Sequence, residues 1–295
     1  MSRHSVIDVG SNTIHLLVGE VDGGEVLPVT GEKVSARLGA GVEKNGRLDA
    51  GRLELAAEVI GLFARISALN GVAEPVILAT SAVRDADNGS ELTERVRELT
   101  GLKMRLISGE EEAELGFRGA VSVVGTSWEG PALVVDLGGG SAQLIVGEAS
   151  SGPLMQISLP LGSNRTTERF VESDPPKKKE LRSLDEHVKE MMPGWGLSQR
   201  VSVVAVGGSA RAMLKITRDD LTVERLRRLA LETSERPSAV LAREYGLAPE
   251  RARVLPAAIT TLAAILEHFY RDRLTVARGG LREGTLLALA EGKEI

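Results

Sequence analysis

Residues 6–20 read VIDVGSNTIHLLVGE, and residues 134–148 read VVDLGGGSAQLIVGE. At one constant offset, Asp8 matches Asp136, Gly10 matches Gly138 and Thr13 matches Ser141. Leu16, Val18, Gly19 and Glu20 match Leu144, Val146, Gly147 and Glu148. Such self-similarity means one structural unit used twice. Each copy opens on a short apolar run, residues 5–9 or 133–135, which predicts a buried strand. An Asp-x-Gly turn follows, and a second strand of β-branched and aliphatic residues returns. The expected product is a hairpin whose tip offers backbone N–H groups and hydroxyls to an anion. Two such hairpins in two similar domains predict a phosphate chain held from both sides of an interdomain cleft.

The rest of the chain alternates between strand and helix signals. Helical spacing through Leu53, Ala56, Ile60, Phe63 and Ile66 predicts a helix over 50–69. Strands are expected over 75–80, 103–107, 154–159 and 201–206. Helices are expected over 110–124, 164–171, 177–192, 210–217, 223–233, 237–245, 249–271 and 282–290. Asn88 with Glu91 suggests a capping box, and Gly101 a stop for the helix between. Hairpins plus helical crossovers in two halves make an α/β duplication. The expected boundary lies near 119–128, giving domains 1–119 and 120–295, with the terminal helix packing back on the first. The 173–176 stretch reads as a local loop.

Composition removes several function classes. The chain of 295 residues is 42% hydrophobic and 26% charged, as in globular proteins. No apolar run approaches the roughly 18 residues needed to span a bilayer. The start, MSRHSVIDVG, enters a strand pattern at once, so a cytoplasmic protein without a signal peptide is expected. With no cysteine and only four scattered histidines, thiolate and classical zinc sites are not expected. Any metal should be Mg²⁺ or Mn²⁺ on oxygen ligands. A net charge of −5 argues against nucleic acid as a partner, although a local basic channel for a polyanion remains compatible with it.

Three glycine clusters are candidate phosphate cradles: Gly10-Ser11-Asn12-Thr13, Gly138-Gly139-Gly140-Ser141 and Gly207-Gly208-Ser209. One alone would more simply be a tight turn; three, two of them duplicated behind an aspartate, favour phosphate. Asp8 and Asp136 end their strands, where they could cap the turn amides or bind Mg²⁺. Glu110, Glu111, Glu112 and Glu114 crowd a helix start, where acids complement the macrodipole. A catalytic base there would stay ionised, but sequence physics does not choose among the four. Arg84 and Arg165 could clamp phosphate oxygens or be surface ion-pair partners. The run Lys177-Lys178-Lys179 reads as a solvated helix start, with a polyanion track as the sharper alternative. His15 reads as packed or hydrogen-bonded.

With these pieces in place, the chain resembles the exopolyphosphatase and guanosine-pentaphosphate phosphatase family. The marks are IDVGSNTIHLLV, ATSAVRDADN, LISGEEEAELGFRGA, LVVDLGGGSAQL, SLPLGSNRTTERF, VGGSARAM and GGLREGTLL, in that order along nearly the whole chain. The resemblance implies two actin-like (ribonuclease H-like) domains and Mg²⁺-dependent removal of the terminal phosphate of inorganic polyphosphate. It matches Glu112 to the catalytic base and Asp136 to a metal- or water-positioning aspartate. Ser11, Asn12, Thr13, Arg84, Gly138, Gly139, Gly140, Ser141, Gly208 and Ser209 match phosphate-binding positions. Asp136, Glu112 and Asp8 are the metal candidates. Two positions depart from the pattern. Gln143 replaces a glutamate that helps place the metal, and Arg253 stands where an aspartate is usual. The chain is also expected to lack the C-terminal helical domains of longer members, so short polyphosphate chains are expected; a homodimer is expected on symmetry statistics alone. Alternatives are a guanosine pentaphosphate phosphohydrolase with a role in the stringent response, a non-hydrolytic polyphosphate or nucleotide sensor, and a sugar kinase or ATPase of the same fold.

Overall fold

The computed structural model describes residues 2–124, 130–217 and 220–295. It divides into two compact units, Met1–Trp128 with Gly279–Ile295, and Glu129–Arg278. The expected cut at 119/120 would fall inside a continuous helix, Gly109–Val124. Residues 125–128 of the expected boundary stretch lie outside the described residues.

In the first unit, β1 (Arg3–Val9), β2 (Ile14–Asp22) and β3 (Glu25–Val34) form an antiparallel meander. The chain continues through α1 (Val42–Asn45), α2 (Ala50–Leu69), β4 (Val76–Ala79), α3 (Ser81–Arg84), α4 (Gly89–Thr100), β5 (Met104–Leu106) and α5 (Gly109–Val124). β4 and β5 join in parallel, so the sheet order is β3-β2-β1-β4-β5. Alternation sends the side chains of β1 to two cores. Ile7 and Val9 meet the α2 stripe of Leu53, Ala56, Ile60 and Phe63, while Val6 joins Leu17, Leu78 and Leu286. Asp49 caps α2 by accepting the Arg52 N–H at 3.0 Å. The expected capping box at Asn88 does not form, although Gly101 does end α4. Asn88 instead pairs with the backbone of Leu48, accepting its N–H at 2.7 Å and donating to its carbonyl at 3.2 Å.

The second unit repeats the plan. Its elements are β6 (Ala132–Leu137), β7 (Ala142–Glu148), β8 (Gly152–Leu159), α6 (Ser163–Phe170), α7 (Lys178–Met191), β9 (Ser202–Val206) and α8 (Gly208–Ile216). They continue with β10 (Leu221–Thr222), α9 (Val223–Ser234), α10 (Ser238–Tyr245), α11 (Pro249–His268) and β11 (Arg273–Val276). The sheet order β10-β11-β9-β6-β7-β8, read backwards from β8, matches that of the first unit with one strand added. Even the irregularities repeat: the β2–β3 register shifts between Val18 and Gly19, and the β7–β8 register between Val146 and Gly147. The duplicated Val-Gly-Glu thus marks a duplicated bulge. α11 is buried along most of its length, and its Thr260 and Thr261 hydroxyls are satisfied by the carbonyls of Pro256 and Ala257.

α12 (Leu281–Ala290) returns to the first unit and packs on α5. The contact is backbone against backbone. A Cβ on Gly119 would sit 1.9 Å from the Gly280 carbonyl oxygen, and one on Gly284 would sit 1.8 Å from that of Leu115. Gly119, Gly279 and Gly284 are therefore packing requirements that fix where α5 lies. Among the described residues no helix is long and apolar enough to cross a membrane.

Candidate active site

The two hairpin turns have the same hydrogen bonding. Gly10 N–H donates to the Thr13 carbonyl at 3.3 Å, and Gly138 N–H to the Ser141 carbonyl at 3.0 Å. The aspartate stands at the same register position in each, Asp8 opposite His15 and Asp136 opposite Gln143. Each turn then spends its carbonyls on a neighbouring segment. Ser11 O accepts from Gly39 N at 2.8 Å and Asn12 O from Arg37 N at 2.9 Å. Gly138 O accepts from Ser163 N at 2.9 Å, Gly139 O from Asn164 N at 2.8 Å, and Gly140 O from the Arg165 Nε at 2.8 Å. In a trans peptide the N–H points opposite to the preceding C=O. Fixing these carbonyls therefore directs the N–H groups of Asn12, Thr13, Gly139, Gly140 and Ser141 to the other side of each loop. That side is rich in donors, as an anion site must be.

Ser11 is buried and shares a 3.0 Å hydrogen bond with Ser81 at the start of α3. Its hydroxyl thus braces the turn. His15 accepts from Arg282 at 3.3 Å through Nδ1, consistent with the hydrogen-bonded role expected for it.

The third glycine cluster joins β9 to α8. Gly207 has φ +97°, and a Cβ there would approach Asp136 Oδ1 to 3.0 Å, so the turn lies directly against that carboxylate. Ser209 is fully buried and accepts from Arg251 Nη1 at 2.9 Å. Burial, then the neighbouring Arg211, lower the Arg251 guanidinium below its ordinary pKa, against the pull of Glu250. Arg251 was missed in the sequence, where nothing sets it apart from its neighbour Arg253.

At the start of α5 the structure separates the four acids. Ser108 and Glu111 form a reciprocal cap: Ser108 N–H donates to Glu111 Oε2 at 2.8 Å, and Glu111 N–H to Ser108 Oγ at 3.1 Å. Glu111 also pairs with Arg105, while Glu110 and Glu114 are exposed. Glu112 has a side chain only 13% exposed, and Arg84 Nη1 lies 3.4 Å from its Oε2. The same Nη1 donates to the Ile107 carbonyl at 2.8 Å, so Arg84 is anchored to the segment leading into α5.

The other flagged residues have structural partners. Arg165 supports the Gly140 loop. Lys177, Lys178 and Lys179 are exposed at the start of α7. Arg253 donates to the carbonyls of Ser173 at 3.0 Å and Val171 at 3.2 Å, which ties down the loop after α6. Gln143 is 1% exposed, and its Nε2 donates to Ser141 Oγ at 2.8 Å and Ser158 Oγ at 3.0 Å.

Among the described residues no three acidic or histidine side chains converge into a ready-made metal cage. The duplicated hairpin instead supplies one carboxylate per turn, Asp8 and Asp136. A single carboxylate of this kind in either unit fits Mg²⁺, which keeps several waters and takes further oxygens from phosphate.

A family model described as the Ppx/GppA phosphatase family matches residues 17–292. Exopolyphosphatase 1 of Mycobacterium leprae is 29% identical, over 97% of this chain and 88% of the relative. Exopolyphosphatase 1 of Mycobacterium tuberculosis H37Rv is 30% identical, over 97% of this chain and 87% of its own. The crystal structure of the Aquifex aeolicus member of the Ppx/GppA family superposes with a TM-score of 0.80 at 26% identity, covering 98% of both chains. An exopolyphosphatase structure from Cytophaga hutchinsonii gives 0.87 at 23% identity over 99% of both, a likeness of fold.

Proposed function

The chain belongs to the Ppx/GppA phosphatase family, and we propose that it is an exopolyphosphatase that hydrolyses the terminal phosphoanhydride bond of inorganic polyphosphate. The observation that carries this reading is the turn built twice, with its carbonyls bonded to a neighbouring segment and its amides turned away from that segment. Relatives named exopolyphosphatase, matching over 97% of the chain, support it.

Water attacks the terminal phosphorus, Glu112 accepts its proton on a carboxylate oxygen, and the anhydride P–O bond breaks with the electron pair leaving on the shortened chain. Arg84 holds the Glu112 side chain in place. In each unit the turn amides and one hydroxyl, Thr13 in the first and Ser141 in the second, are donors for phosphate oxygens. Because the transition state is loose, this positioning and charge stabilisation make up most of the catalysis. Mg²⁺, or Mn²⁺ in its place, held by Asp136, would neutralise charge on those oxygens. The reading places the protein in the cytoplasm, where its substrate would be an intracellular polyanion.

The test is phosphate release from short and long polyphosphate with Mg²⁺ or Mn²⁺, with guanosine pentaphosphate as a competing substrate. Release from polyphosphate that guanosine pentaphosphate barely inhibits is expected. Preferential cleavage of the nucleotide would move the substrate assignment, and tight polyphosphate binding without release would identify a sensor.

A further inference from the structure

Gln143 sets the polarity of the Ser141 hydroxyl, and we propose that this lets the second-unit loop bind phosphate without a divalent cation. The proposal deepens the phosphate-binding part of the proposed function and rests on it. Gln143 lies on β7, opposite Asp136 on β6 and Ser158 on β8, and is buried. Its amide nitrogen donates to Ser141 Oγ at 2.8 Å and Ser158 Oγ at 3.0 Å, which uses both amide protons. A serine hydroxyl has one proton and two lone pairs. With a lone pair of Ser141 taken by Gln143, its proton is directed elsewhere and is available to an anion at the loop.

The hydroxyl thereby has the same polarity as the amides of Gly139, Gly140 and Ser141, while the Asp136 carboxylate lies against the Gly207 turn. A carboxylate at position 143 would reverse the hydroxyl's polarity. It accepts and does not donate, so the Ser141 proton would turn back to it and a lone pair would face the phosphate. Its own charge would add repulsion, and a cation would be needed to bridge the two anions. The amide therefore determines whether this loop depends on metal for its grip.

Titration calorimetry with inorganic tripolyphosphate at pH 8 tests this, in EDTA and again with excess Mg²⁺. The wild type is expected to bind in EDTA. Gln143→Glu should weaken that binding by at least about tenfold, the loss of one hydrogen bond to a charged group. Mg²⁺ should restore most of the loss. Ser141→Ala should bind more weakly in both conditions. Gln143→Met, which keeps the volume but not the donor, should fall between wild type and Gln143→Glu. It carries the test if the buried carboxylate abolishes a cooperative melt. A wild type that does not bind in EDTA, or a Gln143→Glu variant (Gln143→Met if it is unfolded) equal to wild type there, overturns the proposal. Hydrolysis is not read in this experiment. Phosphate release without metal-free binding would remove this inference alone, whereas metal-free binding without release would remove the hydrolase reading alone.

Discussion

Arg84 illustrates how one side chain can serve the site without being free to move. Its Nη1 donates to the Ile107 carbonyl at 2.8 Å and lies 3.4 Å from Glu112 Oε2, so it positions the carboxylate from a fixed backbone anchor. Arg84→Ala is expected to lower kcat by about 10- to 100-fold, the cost of a misplaced reacting group, with a smaller change in KM. Steady-state kinetics on polyphosphate reads the split; a change confined to KM would assign Arg84 to substrate binding alone. Arg253 has a different part, donating to the Val171 and Ser173 carbonyls. Arg253→Asp leaves both carbonyls without that donor. It should lower the melting temperature while leaving kcat nearly unchanged, as differential scanning calorimetry beside a rate assay would show. These roles were not legible in the sequence, because each depends on a carbonyl brought near by the fold. The choice of Glu112 among four acids lay beyond periodicity and charge, although the S-x-x-E spacing of Ser108 and Glu111 already carries the signature of the cap that commits Glu111.

At the scale of elements, α5 is held by a helix that arrives from the far end of the chain. Because a Cβ on Gly284 would meet the Leu115 carbonyl oxygen at 1.8 Å, Gly284→Ala must push α12 and α5 apart. A loss of about 1–3 kcal/mol in stability is expected from chemical denaturation, with reduced activity because Glu112 rides on α5. A second element-scale device joins α7, α9 and α11. Arg227 bonds Glu267 at 2.7 Å, with Lys189 at 2.8 Å and Asp185 beside them. The Arg227 hydrogen bond, against the opposing effect of burial and assisted by Lys189, depresses the Glu267 pKa to about 2. A carboxyl with a folded pKa below its unfolded value stabilises the fold above the unfolded value and loses that contribution as pH falls through the folded one. The melting-temperature gap between wild type and Glu267→Gln should therefore be full above the ordinary glutamate range of about 4.3 and close as pH approaches 2. A gap independent of pH would contradict it. Most helices were legible from apolar spacing, as in α2, where Leu53, Ala56, Ile60 and Phe63 form the buried stripe. β3 was not, because its residues are largely exposed and include Pro28 and Gly31. Pairing with β2 makes it a strand. α3 was missed because four residues are too few to show a period.

The whole molecule is one plan executed twice, and its repeat was the most legible feature of all. The matched Asp, Gly and Ser/Thr positions in sequence became the same register, the same turn hydrogen bond and the same strand order in both units. What the repeat does not explain is asymmetry. The first unit carries the acid at the start of α5, and the second the Gln143–Ser141 pair and the Arg251–Ser209 pair. The account assigns catalysis to that acid and grip to the duplicated turns, so the two functions should separate. The most direct measurement is phosphate release from tripolyphosphate by wild type and Glu112→Gln under single-turnover conditions with Mg²⁺, alongside binding of the same substrate. The account predicts at least a ~100-fold slower release in the variant with affinity changed little, the signature of a lost general base. Equal release rates for the two proteins would contradict it and move the chemistry to another residue.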